Sequence, residues 1–152
     1  MKNKIIIILL AIFFLTSCGY SPIYSSKDLN FKISEFELLD KTKISRNIKK
    51  NLELYKKNNN SNNFYLIKIS SNKKVSTISK DNKGNPSNFE MTVTSKITIL
   101  NDEKILKNKV FSESFNYKNT SNKFDLKQYE KNIEENLTDK IIENIISFFY
   151  TL

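Results

Sequence analysis

The clearest pattern in the chain is the alternation of apolar and polar residues from Phe89 to Leu100. Every second position is apolar and only Ser95 interrupts the series, whose members are Phe89, Met91, Val93, Ile97 and Ile99. The positions between them are Glu90, Thr92, Thr94, Lys96 and Thr98. Because successive side chains of a strand point to opposite faces, this pattern predicts a strand with one face in a core and the other toward water or a partner.

A second strand is predicted to follow directly and to form an antiparallel hairpin with the first. Asn101-Asp102 is interpreted as the turn, and Ile105 to Tyr117 as the returning strand, with Phe111, Phe115 and Tyr117 in alternate register. Both runs are rich in β-branched or aromatic residues, which is typical of strands.

Three further elements are predicted before this hairpin. Phe31 to Leu38 alternates enough for a short strand, and Phe64 to Ser70 reads as another, which Val75 to Ser79 is able to continue. Between them the apolar residues step by four, four and three, as on one face of a helix; they are Ile44, Ile48, Leu52 and Tyr55. Two polar clusters, 58–63 and 81–86, are predicted to be a loop and a turn.

A long closing helix is predicted from Asp125 onward. Asp125 is the expected N-cap, with Gln128 completing a capping box and Phe124 and Tyr129 placed for a hydrophobic staple. The apolar stripe recurs every three or four residues: Leu126, Tyr129, Ile133, Leu137, Ile141, Ile145, Phe148 and Leu152, widened by Ile142, Ile146 and Phe149. About 25 helical residues would span roughly 37 Å. Burial against the sheet is the expected role of the stripe, and a face reserved for a partner is the alternative.

The predicted order is therefore β-α-β-β-β-α. Helices cannot bury an apolar stripe alone, so both are expected on the apolar face of the sheet. The predicted fold is α+β: a two-layer sandwich with an about four-stranded, mostly antiparallel sheet and two helices on one face. The other face is expected to carry Thr, Lys, Glu and Ser.

The N-terminal segment has the layout of an export signal. Lys2 and Lys4 precede an apolar run from Ile5 to Leu15, which at 11 residues is shorter than the roughly 20 needed to span a bilayer. Leu15-Thr16-Ser17-Cys18 then follows the bacterial lipobox pattern, in which the cysteine is lipidated and becomes the new N-terminus. We therefore predict a signal peptide at 1–17, a lipidated tether at 18–30 and a single domain at 31–152. A plain signal peptide or signal anchor with a chance cysteine is the alternative.

Charge limits the possible partners. Lys2 and Lys4 are two of the 25 basic residues and none of the 16 acidic ones lies in the signal segment, so the mature chain keeps an excess of seven positive charges. Such a surface suits an anionic membrane or glycolipid, but Arg46 is the only arginine. Nucleic acid is not expected, because its readout relies on the planar fork of arginine. The abundance of Lys, Asn and Ile is also explained by a codon bias, so both interpretations of the charge stay open.

The sequence offers little for catalysis. It has no histidine, and its single cysteine is assigned to the lipid, so we expect no imidazole base, metal site, nucleophile or cofactor. With two glycines it has no Gly-rich phosphate loop. The carboxylate pairs Glu35/Glu37 and Glu134/Glu135 are expected to be solvated surface. The protein is not expected to be an enzyme.

Cys18-Gly19-Tyr20-Ser21-Pro22-Ile23-Tyr24 carries a family resemblance. It resembles the aromatic-x-Pro-x-Tyr start that follows the acylated Cys-Gly in alphaproteobacterial LPS-assembly lipoproteins, the LptE family. Phe89 to Ile97 resembles the central strand of that family, and the returning strand Val110 to Tyr117 and the closing helix with Glu134, Glu135 and Leu137 keep its order. The closing helix and hairpin of the family usually carry several arginines, where this chain has Lys and Asn.

The resemblance implies a function in the outer membrane. It implies a lipopolysaccharide translocon component that plugs a large β-barrel, LptD, assists the assembly of that barrel and contacts lipopolysaccharide. Gly19 after the cysteine, where other bacterial lipoproteins carry Asp for inner-membrane retention, favours the outer membrane, on its periplasmic side. The candidate contacts with anionic lipid are Lys73, Lys74, Lys80 and Lys83 in the loop between the second and third strands, and Lys96 on the exposed strand face. The alternative is a lipid-transport accessory or structural lipoprotein without a barrel partner.

Overall fold

The computed structural model describes Leu29, residues 31–56 and residues 63–152. The elements are β1 (Lys32–Leu38), α1 (Lys43–Leu52), a 3₁₀ turn (Glu53–Lys56), β2 (Phe64–Lys80), β3 (Pro86–Asn101), β4 (Lys104–Lys118) and α2 (Lys123–Phe149). Their order is the predicted β-α-β-β-β-α.

The four strands form one sheet in the order β1-β2-β3-β4. β1 runs parallel to β2, whereas the β2–β3 and β3–β4 pairs are antiparallel. The α+β prediction with a mostly antiparallel sheet is thus confirmed. β2 differs from the expectation in being continuous: its polar stretch Ser71–Lys74 stays in the ladder with β3 instead of forming a loop.

Register assigns each side chain to a face. Ile69 pairs with Ile97, which pairs with Lys109, and these positions face the helices. The main core joins this face to the apolar sides of both helices. Its fully buried members include Ile48, Leu52, Ile67, Ile69, Met91, Val93, Ile97, Ile99, Ile141, Ile145 and Phe149.

A single carboxylate organises the connection from β1 to α1. Asp40 accepts hydrogen bonds from the Ser71 backbone N–H (2.6 Å), from the Thr42 N–H (2.9 Å) and hydroxyl (2.6 Å), and from the Ser45 hydroxyl (3.0 Å). Thr42 in turn caps α1 by accepting from the Ser45 N–H. The Asp40 side chain therefore accepts the Ser71 N–H of β2 just beyond the end of β1. At the same point it holds Thr42 and Ser45, with which α1 begins.

α2 begins earlier than its sequence predicts. Its N-cap is Asn122, which accepts from the N–H groups of Phe124 (3.1 Å) and Asp125 (3.4 Å). Asp125 lies in the first turn, so the predicted Asp125 cap is wrong. The predicted staple is absent as well, because Phe124 is the second residue of the helix and does not precede the N-cap. The rest of the stripe, from Leu126 to Phe149, is buried as predicted, apart from the half-exposed Tyr129.

The sheet has two distinct ends, which we call the base and the tip. The base is the end with Phe31, the start of β2, the β3–β4 turn and the end of α2; Phe31 packs there against Tyr65 and Phe149. The tip is the opposite end, with the β2–β3 turn of Asp81–Asn85 and the start of α2. The turn at the base is Asp102-Glu103, one residue later than predicted, and both residues have positive φ (46° and 65°), as the favoured two-residue hairpin turn requires.

Candidate functional site: the open face of the sheet

The predicted lipidation site lies outside the described residues. This applies to Cys18, to the signal segment 1–17 and to the tether except Leu29, which is buried in the core. Among the described residues, no helix has the length and apolar character needed to cross a membrane.

The face of the sheet away from the helices is the open face, and its centre is lined by hydroxyl groups. The Thr94 and Ser112 hydroxyls are 3.0 Å apart across the β3–β4 pair, and Thr98 contacts Asn108 at 3.5 Å in the same pair. Neutral hydroxyls both donate and accept hydrogen bonds. The centre of the open face therefore combines hydroxyls, which can bind polar groups of either kind, with the ammonium groups of Lys68 and Lys96 at neighbouring positions.

The five candidate lysines are not brought together. Lys74 pairs with Thr92 and Lys96 with Ser70, so both lie on the open face, but four residues of β3 separate them, which is about 13 Å. Lys80 ends β2 and Lys83 lies in the turn at the tip. The prediction that Lys73, Lys74 and Lys80 belong to a loop is wrong, because all three are part of β2.

Lys73 differs from the others because it faces the helices. It pairs with Val93 of β3, and its ammonium group forms an ion pair with Glu134 of α2. The Glu134 side chain is only 14% exposed, against 42% for Lys73. Lys73 is therefore already matched by a carboxylate inside the molecule, whereas no ion pair is found in the described residues for Lys74 or Lys96.

Three of the four carboxylates noted in the sequence, Glu37, Glu134 and Glu135, are bound to lysines. Glu37 pairs with Lys68 at 2.9 Å on the open face, and Glu135 pairs with Lys43 at 2.8 Å between the two helices. The hydrogen bond from Lys43 lowers the pKa of Glu135 and the same bond raises the pKa of Lys43. No cluster of three or more metal-binding side chains occurs in residues 29, 31–56 and 63–152.

A cationic row on β4 was missed by the sequence analysis. Lys109 places its ammonium group 4.5 Å from the centre of the Phe148 ring, and Lys107 lies 5.7 Å from the same ring. Ammonium groups are attracted to the faces of aromatic rings. The period-two spacing of Lys107, Lys109 and Phe111 was a signal for this row, but the ring they share belongs to the distant α2.

The open face becomes apolar at the base, contrary to the expected Thr, Lys, Glu and Ser. Leu66 pairs with Leu100, which pairs with Ile105. Leu100 is 8% exposed although it is not part of the main core, so it belongs to a separate cluster. Phe64 shares this side of β2 and is 54% exposed, and Ile105 is 64% exposed. We call Phe64, Leu66, Leu100, Ile105 and the adjacent exposed Leu106 the base patch.

A groove runs between β4 and α2 near the tip. Its volume is about 400 Å³, and Phe115, Tyr129, Ile133 and Leu137 supply its apolar lining. Asn132, Asn136 and Lys140 contribute polar groups at its edge.

No protein-family model matches the chain, and no curated protein sequence matches it either. Solved structures do share its fold. The minor lipoprotein of Acinetobacter baumannii is 14% identical, with a TM-score of 0.63 over 82% of this chain and 94% of that one. Rare lipoprotein B of Shewanella oneidensis is 14% identical, with a TM-score of 0.55 over 75% and 95%. Lipoprotein B of Nitrosomonas europaea is 11% identical, with a TM-score of 0.56 over 78% and 81%. At these identities the likeness is one of fold.

Proposed function

We propose that this chain is an outer-membrane lipoprotein of the LptE type. It is attached through an acylated Cys18 on the periplasmic side and plugs and helps to assemble an LptD-like β-barrel. One combined observation carries the proposal: the lipobox Leu15–Cys18 precedes a domain whose fold is shared with solved proteins named as lipoproteins in several other bacteria.

The shape of the sheet suits a plug. Strands of 15 to 17 residues extend roughly 50 Å or more at 3.3 Å per residue, which exceeds the roughly 30 Å of a bilayer hydrocarbon core. The interior of a large transmembrane barrel is polar, and the hydroxyl-lined centre of the open face matches such a surface. These features support the proposal without requiring a catalytic group.

Co-purification from the native outer membrane tests the barrel partner. The full chain with a C-terminal affinity tag is extracted from outer membranes in mild detergent. Recovery of a stoichiometric, very large, heat-modifiable β-barrel is the expected result. Recovery of the lipoprotein alone, or with inner-membrane transport subunits, would instead favour the accessory or structural lipoprotein.

Substitution of Cys18 tests the lipid anchor. Cys18→Ser removes the thiol that takes the lipid, so we expect no palmitate labelling and an uncleaved precursor. Ser17→Ala is the matched control, because it keeps a small residue at the cleavage site and leaves Cys18 in place. Palmitate incorporation into the Cys18→Ser protein would refute the lipobox assignment.

Lipopolysaccharide contact is tested through the four candidate lysines for which the described residues supply no ion pair. Replacing Lys74, Lys80, Lys83 and Lys96 by Gln is expected to weaken lipopolysaccharide binding and to flatten its salt dependence, because salt screens exposed charges. The matched control removes the same charge from exposed helix positions: Lys50, Lys127, Lys131 and Lys140. Equal affinities of both quadruple variants at low salt would leave Lys74, Lys80, Lys83 and Lys96 with no special part in binding.

A further inference from the structure

We propose that the base patch is a membrane-contacting surface, which rests on the bilayer that holds the lipid anchor. The inference depends on the acylated Cys18 of the proposed function but goes beyond it, since neither a lipid anchor nor a barrel partner requires the folded domain to touch lipid. The occupant we assign is the headgroup and upper acyl region of that bilayer.

The first argument is the position of exposed apolar surface. Phe64, Ile105 and Leu106 are each more than half exposed, and they adjoin Leu66 and Leu100 on one side of the sheet. The base already has a complete core on the helix side, so this second cluster is not needed to close the fold. Contiguous exposed apolar patches on soluble domains mark interaction surfaces.

The second argument is the path of the chain. Phe31 is buried at the base between Tyr65 and Phe149, and Leu29, the described residue nearest to Cys18, lies within about 7 Å of it along the chain, so the described part of the domain nearest to the anchor is at the end that carries the patch. The 11 residues from Cys18 to the buried Leu29 can extend at most about 40 Å. A bilayer attached at Cys18 is therefore held within reach of the patch at a high effective concentration, whereas the tip lies a full strand length farther away.

The third argument is the polar surround of the patch. Lys32 lies beside it with its ammonium group 5.5 Å from the centre of the Phe64 ring, and Lys104 precedes Ile105 at the turn. Lysines at such positions extend their charged ends toward lipid phosphates while their stems cover apolar surface. Asp102 and Glu103 occupy the turn itself, so the contact is a shallow one in which apolar burial contributes more than charge.

Brominated lipids provide the test, because the native chain contains no tryptophan. Ile105→Trp puts a reporter in the base patch. Ile78→Trp is the matched control at the tip, where Ile78 is 49% exposed. Both full-length, lipidated variants are reconstituted in phosphatidylethanolamine–phosphatidylglycerol vesicles with bromine on the upper acyl carbons, and their emission is compared with that in unbrominated vesicles.

Quenching of the base reporter alone is the expected result. Since interfacial contacts reach roughly 5–10 Å into the headgroup–acyl boundary, Ile105→Trp should lose about half or more of its emission and Ile78→Trp little. Adding Phe64→Ser to the Ile105→Trp variant should reduce the quenching. Adding Leu39→Ser, which changes an exposed leucine outside the patch, should not.

Vesicle flotation separates the possible failures. If both reporters float with the vesicles but neither is quenched, or both are quenched equally, the base patch proposal is overturned and the lipid anchor stands. Cross-linking of Ile105→Trp chains into dimers in the absence of quenching would overturn it in favour of a second copy as occupant. If the full-length protein does not float at all, the anchor fails and the inference falls with it.

Discussion

The base and the tip share the same three long strands, but different forces hold them. At the base β1 adds a fourth strand, and α1 lies beside α2 over the helix-facing side, so that positions such as Ile69, Ile97 and Ile145 are fully buried. At the tip, within the described residues, three strands remain and the first turns of α2 supply the helical cover. Val75 and Phe115, whose positions face the helix layer, are consequently almost half exposed there.

Polar contacts supplement apolar burial at the tip. Lys73 reaches Glu134, Ser79 meets Ser87 at 2.7 Å, and the Tyr117 hydroxyl donates to Glu130 at 2.7 Å. Burial, followed by the hydrogen bond and the charge of Glu130, raises the pKa of Tyr117, which therefore stays a donor at any physiological pH. The core continues toward the tip beneath α2 through Met91, Tyr117 and Leu126, and beyond the end of α1 these cross-strand and strand–helix polar contacts add to it.

The largest loss of stability is expected from truncating a core residue, Ile141. Ile141 is fully buried on α2, and truncating a buried Ile to Ala costs about 2–5 kcal/mol. Ile141→Ala should therefore lower the urea midpoint strongly, whereas Lys140→Ala on the exposed side should change it little. Val75→Ala at the tip should cost far less than Ile141→Ala. Equal losses for Ile141→Ala and Val75→Ala would contradict the contrast between the two ends.

The second-largest loss of stability is expected at Asp40, where the base meets the rest of β2. Asp40 ends β1 by accepting four hydrogen bonds, one of them from the Ser71 backbone. Asp40→Asn keeps the size but removes the charge, and we expect a loss of about 2 kcal/mol, as for hydrogen bonds to charged groups. Asp81→Asn in the tip turn is the control. Its carboxylate accepts from the Lys83 and Asn85 N–H groups on the surface, so the loss should be smaller.

The pH dependence sharpens this prediction. Burial alone would raise the pKa of Asp40, but the hydrogen bonds from Thr42, Ser71 and Ser45 outweigh it and the pKa is lowered. A carboxylate with a lowered folded-state pKa stabilises the fold above its ordinary value of about 3.9 and loses that contribution as the pH falls through the folded value. The stability difference between wild type and Asp40→Asn, measured by urea unfolding, should therefore shrink below about pH 4. A difference that is constant from pH 7 to pH 3 would rule out the charged form as its source.

Sequence patterns predicted the elements that bury a regular apolar face. The alternation from Phe89 to Ile99 and the stripe from Leu126 to Phe149 depend only on periodicity, and both were confirmed. The continuity of β2 was not predictable in this way, because Ser71–Lys74 is polar and remains in the sheet through partners distant in sequence: Asp40, Ser95 and Glu134.

The candidate site shows the same limit. The alternation correctly placed Lys96 on the open face, but the side of the sheet that Lys73 occupies depends on a register that extends through the polar stretch. The base patch was missed because Leu66, Leu100 and Ile105 come from three strands. A one-residue irregularity at Ile99/Leu100 brings Ile105 rather than Leu106 opposite Leu100, and no periodicity within one strand shows that.

The smallest predicted effect concerns the ion pair that joins β2 to α2 at the start of the tip. Lys73 is partly exposed and Glu134 mostly buried. The coupling energy of this pair should therefore be larger than that of a fully exposed pair, at about 1 kcal/mol, the upper end of the range for surface ion pairs. A double-mutant cycle with Lys73→Met and Glu134→Gln isolates this coupling from the loss of each side chain. The Lys43–Glu135 pair is the matched control, because both of its side chains are well exposed and its coupling should be weaker. A larger coupling energy for Lys43–Glu135 would show that the Lys73–Glu134 contact does not compensate for the absence of α1 beside β2 at the tip. The stability of β2 beyond Ser71 must then come from its pairing with β3.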